Sequence, residues 1–314
     1  MTIKNTVSII LPVHNEATHL EVSVKEIRKF ALISSLDVEI LLIDDGSSDS
    51  SWAACENLIK CNIAQKALKL SRNFGKESAV RAGLEACTGD CVIVMDSDLQ
   101  HPPELISEMI THWQNGRQIV EAIKVDRSHD SALKRFLSAR FYKMYRLLTD
   151  VDLEGASDFK LLDRCVVDHL IKMQEINQFL RGTTKWMGFD SVAIPFTVQE
   201  RAGDETSWTN AQLFSYGIGS ILSFSQKPLY IFSILTTIFL ILFSLVVITR
   251  ALLIWSMGSP PDGTTTILVS LSIFAALISA NQTIGNIYLG RVFEQAKLRP
   301  VYIVSHSINS ETYQ

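Results

Sequence analysis

This 314-residue sequence is poorly supplied for disulfide chemistry, structural zinc or nucleic-acid binding. It has five cysteines, an odd number: Cys55, Cys61, Cys87, Cys91 and Cys165. None forms a Cys-x-x-Cys pair, and no further Cys or His follows Cys87 and Cys91 at finger-like spacing. Buried free thiols in a reducing compartment are therefore expected. Basic residues do not cluster either. Lys and Arg number 29 against 33 Asp and Glu, a net charge of -4 with no basic block, so no nucleic-acid partner is expected. There is no internal repeat and no low-complexity tract. Met1-Thr2-Ile3-Lys4-Asn5 leads straight into strand-like residues, so no export signal is expected.

Apolar residues, by contrast, are concentrated toward the C-terminus, and the mean hydropathy of +0.19 is high for a soluble enzyme. Leu229 to Trp255 carries Arg250 as its only charge, and Thr266 to Gly290 carries none. Both exceed the roughly 20 residues that cross a hydrocarbon core, so two transmembrane helices are expected, with Arg250 snorkelling to the interface. Buried core helices would need more soluble chain to wrap them than remains. Ser256 to Thr265 has no Lys or Arg, whereas Lys227 precedes the first span and Arg291, Lys297 and Arg299 follow the second. The catalytic mass and both termini are therefore expected on the cytoplasmic side of the inner membrane. Leu213 to Leu222 reads as a helix lying in the membrane interface. In the second span Ser279, Gln282, Thr283 and Asn286 share one stripe, with Gly285 and Gly290 nearby. Such residues usually face another helix, either the first span or that of a second copy, so a homo-oligomer is expected.

Upstream, strand and helix patterns alternate. Thr6 to Val13 is a strand, and His14-Asn15-Glu16 opens a helix to about Phe30. Val38 to Ile43 is a second strand, ending in Asp44-Asp45-Gly46-Ser47-Ser48-Asp49. Ala67 to Leu70 is a third, and Arg72-Asn73-Phe74-Gly75-Lys76 leads into the next helix. Cys91 to Met95 is the fourth. This rhythm predicts an α/β fold with a mainly parallel sheet. Later segments are a helix from Pro102 to Asn115, a strand from Ile119 to Val125, a basic helix from Ser131 to Leu148, and strands at Asp158 to Leu162 and Ser191 to Val198. The expected domains are 1–205 catalytic, 206–227 interfacial, 228–290 membrane (229–255 and 266–290) and 291–314 a cytoplasmic tail.

The fourth strand delivers Asp96-Ser97-Asp98-Leu99-Gln100 to a loop, where open α/β sheets place their ligand crevice. Two hard carboxylates there suit Mg²⁺ or Mn²⁺ shared with phosphates. The spacing alone favours a solvated turn over a metal site; the buried strand before it reverses that order.

Together, Pro12-Val13-His14-Asn15-Glu16, Asp44-Asp45-Gly46-Ser47, Asp96-Ser97-Asp98-Leu99-Gln100 and the two C-terminal spans resemble glycosyltransferase family 2. More narrowly, the chain resembles the polyisoprenyl-phosphate glycosyltransferases. The resemblance implies a GT-A (Rossmann-like) catalytic domain, inversion, a nucleotide-sugar donor and a lipid-phosphate acceptor. Pro12, Asn15, Glu16, Asp44 and Asp45 then match the nucleoside-binding edge, the plainer alternative being that Asp44 and Asp45 cap a turn. Asp96 and Asp98 match the metal and diphosphate site, with Gln100 beside them on the donor. Arg72 and Lys76 either support the diphosphate or stay solvated. Asp158 matches an acid near the acceptor. A phosphate monoester is already largely ionised, its second pKa being about 6, so Asp158 orients more than it deprotonates. Arg127, Lys134, Arg135, Ser138 and Arg201 match the acceptor-phosphate region, the alternative being a basic face on anionic lipid. Gln178-Phe179-Leu180-Arg181 is followed by Gly182, where processive relatives carry a stacking Trp. One sugar per turnover is implied, with a separate flippase and a downstream glycosyltransferase as partners. UDP-glucose and undecaprenyl phosphate are the expected substrates. GDP-mannose with a dolichol-type lipid and a 4-amino-arabinose donor are rivals. An inactive membrane scaffold and a donor-binding module are the alternatives from other classes.

Overall fold

Val7, Ile9, Leu11 and Val13 turn to one face of a strand and Ser8 and Ile10 to the other, and all six are buried. That is the signature of a strand covered by helices on both sides. It is β1 (Thr6–Val13) of a computed structural model that describes residues 6–34, 36–124, 132–149, 155–173, 179–197, 221, 225, 227–256 and 263–310. The chain divides into two units, Met1–Trp208 with Pro300–Gln314, and Thr209–Arg299.

In the first unit β1 is followed by α1 (Leu20–Ala31), β2 (Asp37–Asp44), α2 (Ser51–Lys60), β3 (Lys66–Leu70), α3 (Lys76–Ala86) and β4 (Cys91–Val94). Then come α4 (Leu105–Gln114), β5 (Ile119–Lys124), α5 (Ala132–Thr149), β6 (Ala156–Asp163), α6 (Arg164–Lys172), α7 (Leu180–Trp186) and β7 (Ser191–Phe196). Among the described residues these strands and β8 (Val304–Asn309) form one eight-stranded sheet, in the order β7-β5-β6-β4-β1-β2-β3-β8. β6 and β8 run antiparallel to their neighbours and the remaining pairs are parallel. The α/β, mainly parallel expectation agrees with this topology.

Two apolar layers enclose the sheet. Odd residues of β1 pack with α1, α2 and α4 through Leu20, Val24, Leu58, Met109 and Trp113. Ile10 packs on the opposite face with α3, α6 and α7 through Ala79, Leu84, Val166 and Leu180. At Gly83 a Cβ would stand 2.4 Å from the Ile10 side chain, so α3 lies on the sheet at a distance that only glycine permits.

Two elements fall where the sequence reading marks none. α6 starts at Asp163, whose carboxylate accepts from the Cys165 amide as an N-cap. β8 lies in the stretch expected to be a tail, and it joins the sheet edge beside β3. The thiol expectation also needs one correction. Cys55, Cys87 and Cys91 are buried and Cys165 is half-buried, but Cys61, at the solvent-facing end of α2, is exposed.

The second unit contains α8 (Lys227–Ser256) and α9 (Gly263–Ala296). Among the described residues one stretch, Lys227–Arg250, is long and apolar enough to cross a membrane. The expected second span falls within α9, a continuous helix of 34 residues. The two helices meet through Ser233, which donates to Asn281 Oδ1 at 3.0 Å, and through Phe243 and Phe274, edge to face at 5.1 Å. Ser279, Gln282, Thr283 and Asn286 are exposed, and Gln282 donates to Asn286 at 3.1 Å. Apart from Ile221, Ser225 and Lys227, the expected interfacial segment 206–227 lies outside the described residues.

Candidate active site

The strand order runs β3-β2-β1 and then reverses to β4, so the connections leaving β1 and β4 diverge and a crevice opens at their carboxyl ends. Three loops meet there: 14–19 after β1, 45–50 after β2 and 71–75 after β3. Asn15 takes a positive φ of 56°, which Asn tolerates, and its side-chain oxygen accepts from the Ser48 amide at 2.9 Å. The Asn15 amide donates to Ser47 Oγ and the Glu16 amide to Ser51 Oγ, at 3.0 and 2.8 Å. The Pro12 carbonyl accepts from Ser97 Oγ at 3.3 Å, tying β1 to the turn after β4.

Asp44 and Asp45 are 0% and 3% exposed, enclosed by the turn they organise. Asp44 Oδ1 accepts from the Ser47 amide at 3.1 Å, while Oδ2 is buried with no partner among the described residues. Asp45 receives the Phe74 amide at 2.7 Å and the Gly75 amide at 2.9 Å, one on each oxygen. Burial pushes the Asp45 carboxyl upward, with those two amides opposing the shift. The loop after β3 is thus held to the turn after β2. Gly46, at a φ of +63°, fits beneath it where a Cβ would stand 2.3 Å from the Arg72 carbonyl carbon. Exposed polar side chains of this edge include His14, Asn15, Ser48, Arg72 and Asn73. Arg72 lies over the Phe74 ring at 4.1 Å, and Asn73 meets His14 Nε2 at 3.1 Å.

The antiparallel register of β4 and β6 pairs Val94 with Lys160, and two residues beyond that pair stand Asp96 and Asp158. Lys76, the first residue of α3, bridges them at 2.5 Å from Asp96 Oδ1 and 2.6 Å from Asp158 Oδ2. Arg181, on α7, clasps Asp158 with two nitrogens, Nη2 at 2.6 Å from Oδ2. Burial alone would raise the Asp158 carboxyl, but the hydrogen bonds and charge of Arg181, and then of Lys76, outweigh it and hold it well below the usual carboxylate range. Burial likewise opposes the charge on Lys76, and Asp96 with Asp158 outweighs it, keeping the ammonium protonated. Asp158 is therefore a permanent anion between two cations, and a poor base. After Asp98 the backbone turns through Leu99 at a φ of 56°, a strained conformation for a branched side chain, and the Gln100 amide returns to Asp98 Oδ1 at 3.1 Å.

Arg181 is a site residue to which the sequence alone assigns no role. Its partner is 23 positions away, so local pattern does not reveal the pair. An ion cluster centred on the buried Glu121 and Lys160 seats α7. Glu121 on β5 lies between Lys160 and Lys185, each at 2.5 Å, and Lys160 also reaches Thr184 Oγ1 at 3.1 Å. Arg181 and Lys185 are one helical turn apart, so the cluster that seats Lys185 also aims Arg181 at Asp158. Glu77, beside Lys76, accepts from the Leu180 amide at 3.2 Å. Burial, and then the Asp158 charge, push its carboxyl up to about 7.

Asp96 and Asp98 supply hard oxygens, and the Lys76 ammonium on Asp96 shows that a cation is electrostatically at home there. Among the described residues no three His, Cys, Asp or Glu side chains form a metal cage. A divalent ion fits this pair by sharing its coordination with a ligand's oxygens. Of the expected acceptor-phosphate residues, Arg127 and Arg201 lie outside the described residues. Lys134, Arg135 and Ser138 fall on α5, with their side chains outside the description.

A family model described as "Glycosyl transferase family 2" matches residues 8–169. The chain is 34% identical over 303 residues to "Putative glycosyltransferase CsbB" of Bacillus subtilis, covering 96% of this chain and 92% of the relative. It is 33% identical over 302 residues to "Prophage bactoprenol glucosyl transferase homolog" of Escherichia coli, covering 95% and 98%. Among solved structures, mannosyl-3-phosphoglycerate synthase from Rubrobacter xylanophilus superposes with a TM-score of 0.51 at 16% identity, over 70% of this chain and 73% of that one. That likeness is one of fold.

Proposed function

Since the chain belongs to glycosyl transferase family 2, we propose that it transfers one glucose from UDP-glucose to a polyprenyl phosphate, undecaprenyl phosphate, with inversion. What carries this reading is that the likeness to the bactoprenol glucosyl transferase homologue runs through 95% of this chain, beyond the catalytic unit. The site chemistry supports it. An acceptor hydroxyl would need a general base, and Asp158 is held ionised by Lys76 and Arg181. A phosphate acceptor brings its own negative charge. Its oxygen attacks the anomeric carbon from the face opposite the nucleotide, the bond from that carbon to the diphosphate breaks, and UDP leaves.

In this proposal Asp158 keeps two cations in place. Lys76 faces the donor diphosphate and Arg181 the acceptor phosphate, as charge-assisted donors suited to both. Asp96 and Asp98 would hold Mg²⁺ or Mn²⁺ together with the donor, and a bound ion would supply Lewis-acid neutralisation of diphosphate charge. Asn15, Arg72 and their neighbours form the nucleoside edge, and Arg127, Lys134, Arg135, Ser138 and Arg201 the approach of the lipid phosphate. α8 and α9 both span the bilayer, with the catalytic unit and both termini on the cytoplasmic side. The exposed stripe of Ser279, Gln282, Thr283 and Asn286 supports a homo-oligomer built through α9.

The test is transfer by detergent-solubilised protein from a panel of labelled UDP-glucose, GDP-mannose and a UDP-4-amino-arabinose. Each donor is paired with undecaprenyl phosphate or with soluble phosphate acceptors, with and without Mg²⁺. Metal-dependent label in lipid from UDP-glucose is expected, and Asp96→Ala or Asp98→Ala should abolish it. Label carried only by soluble acceptors, or near-normal transfer by both variants, contradicts the proposal.

A further inference from the structure

β8 follows α9 in sequence, yet it completes the sheet of the catalytic unit. It pairs antiparallel with the whole of β3, the strand that feeds the loop carrying Arg72 and Lys76. The pairing is clamped at both ends. At one, the Ser310 amide donates to the Gln65 carbonyl at 2.9 Å; at the other, the Ser71 amide donates to the Ile303 carbonyl at 2.9 Å. Between them Ser305 Oγ donates to the Lys69 carbonyl at 3.0 Å. The register shifts between Lys69 and Leu70, so the irregularity falls where β3 hands over to the loop.

The same segment also holds the helix on the far side of that loop. Tyr302 donates its hydroxyl to Glu85 Oε2 at 2.6 Å, near the end of α3, the helix that Lys76 begins. Glu85 in turn receives Arg81, whose buried guanidinium caps the end of α6 at the Leu170 carbonyl, 2.7 Å, and the Met173 carbonyl, 3.0 Å. Tyr302 packs against one apolar layer and Ile308 against the other.

We infer that residues 302–310 are a strap that positions the loop 71–76, and hence Lys76, for nucleotide binding, without touching the nucleotide. This rests on the reading of that loop as part of the donor site. Without β8, β3 is an unpaired edge, and segments at frayed edges open at low free energy. The contact of Lys76 with Asp96 and Asp158 needs the loop placed to better than about 1 Å. On the inner side Asp45 and Gly46 hold the loop; on the outer side the strap does.

The test uses full-length protein in detergent, with Tyr302→Phe and Ile308→Ala as variants and UDP with Mn²⁺ as the probe. Tyr302→Phe removes one hydrogen bond to a carboxylate and should raise the Kd for UDP and the donor KM about fivefold. Ile308→Ala should act in the same direction. Amide exchange should quicken at residues 71–76 in both, while kcat and the acceptor KM stay within about twofold, since the strap acts on donor placement alone. Unchanged UDP affinity despite faster exchange at 71–76 overturns the inference. So does a parallel fall in kcat and rise in acceptor KM, and so does the absence of any exchange or affinity change in both variants. Exchange needs no ligand. If the parent protein binds no UDP while the variants still loosen 71–76, the donor reading fails and the bracing stands.

Discussion

Replacing Asp158 with Asn separates an orienting anion from a general base. The carboxylate now accepts from Lys76 and Arg181; in the variant one oxygen becomes an amide nitrogen aimed at two cations. Removing one member of a fully buried ion pair costs about 3–5 kcal/mol. Here the Lys76 and Arg181 side chains are 40% and 34% exposed, so solvent screens part of the loss, and about 2 kcal/mol is expected. Expressed in the transition state, that is a fall of about 30-fold in kcat/KM. The pH dependence makes the distinction. Asp158 is depressed below the usual carboxylate range, so the stability it confers is present above that range and disappears only as pH falls through its folded pKa. Compared in a Glu77→Gln background, which removes the neighbouring carboxyl that titrates at about 7, the variant should run parallel to its parent between about pH 5.5 and 8.5 at about 30-fold lower kcat/KM. The assay is initial-rate transfer to polyprenyl phosphate across that range, with thermal unfolding in parallel. An acidic limb in the parent that vanishes in Asp158→Asn, with a loss that widens as pH rises, would refute the reasoning and make Asp158 the base.

Glu77 has the opposite sign. Its carboxyl is raised from 4.5 to about 7, so stability is greatest below the unfolded pKa and is lost as pH rises through 7. Glu77→Gln keeps an acceptor for the Leu180 amide and should stabilise the protein by up to about 3 kcal/mol at pH 8, with little change at pH 4. Unfolding midpoints at the two pH values check this, and equal shifts at both would contradict it. Gly46→Ala forces a Cβ against the Arg72 backbone and strains a positive φ. It should cost about 2 kcal/mol or more and raise the donor KM, measured by urea unfolding and steady-state kinetics.

The catalytic unit was legible wherever a strand buried on both faces ended in polar residues. Val92 to Met95 and Leu41 to Ile43 announce themselves by unbroken apolar runs, and the acids after them mark the crevice. Composition does not show which partner an acid takes. Asp44 and Asp45 stand in a nucleoside-edge motif, yet Asp45 spends both oxygens on backbone amides 29 and 30 residues away. Arg181 and Lys76 reach Asp158 from different helices, a meeting set by the β4–β6 register rather than by local spacing. β8 carries too little burial to show a period, its pattern being exposed at five of six positions, and its partner strand precedes both long helices. A strand of that kind becomes visible only through pairing. α6 was legible in principle from its Asp163 cap and the apolar stripe of Val166, Val167 and Leu170.

The most direct measurement is the anomeric configuration and sugar count of the lipid product made from UDP-glucose, read by NMR and mass spectrometry after a single turnover. One hexose per lipid phosphate, with configuration opposite to the donor's, is the expected result. Retained configuration, or more than one sugar on the lipid, would contradict in-line attack by a phosphate at a site built around Asp96, Asp98 and Asp158.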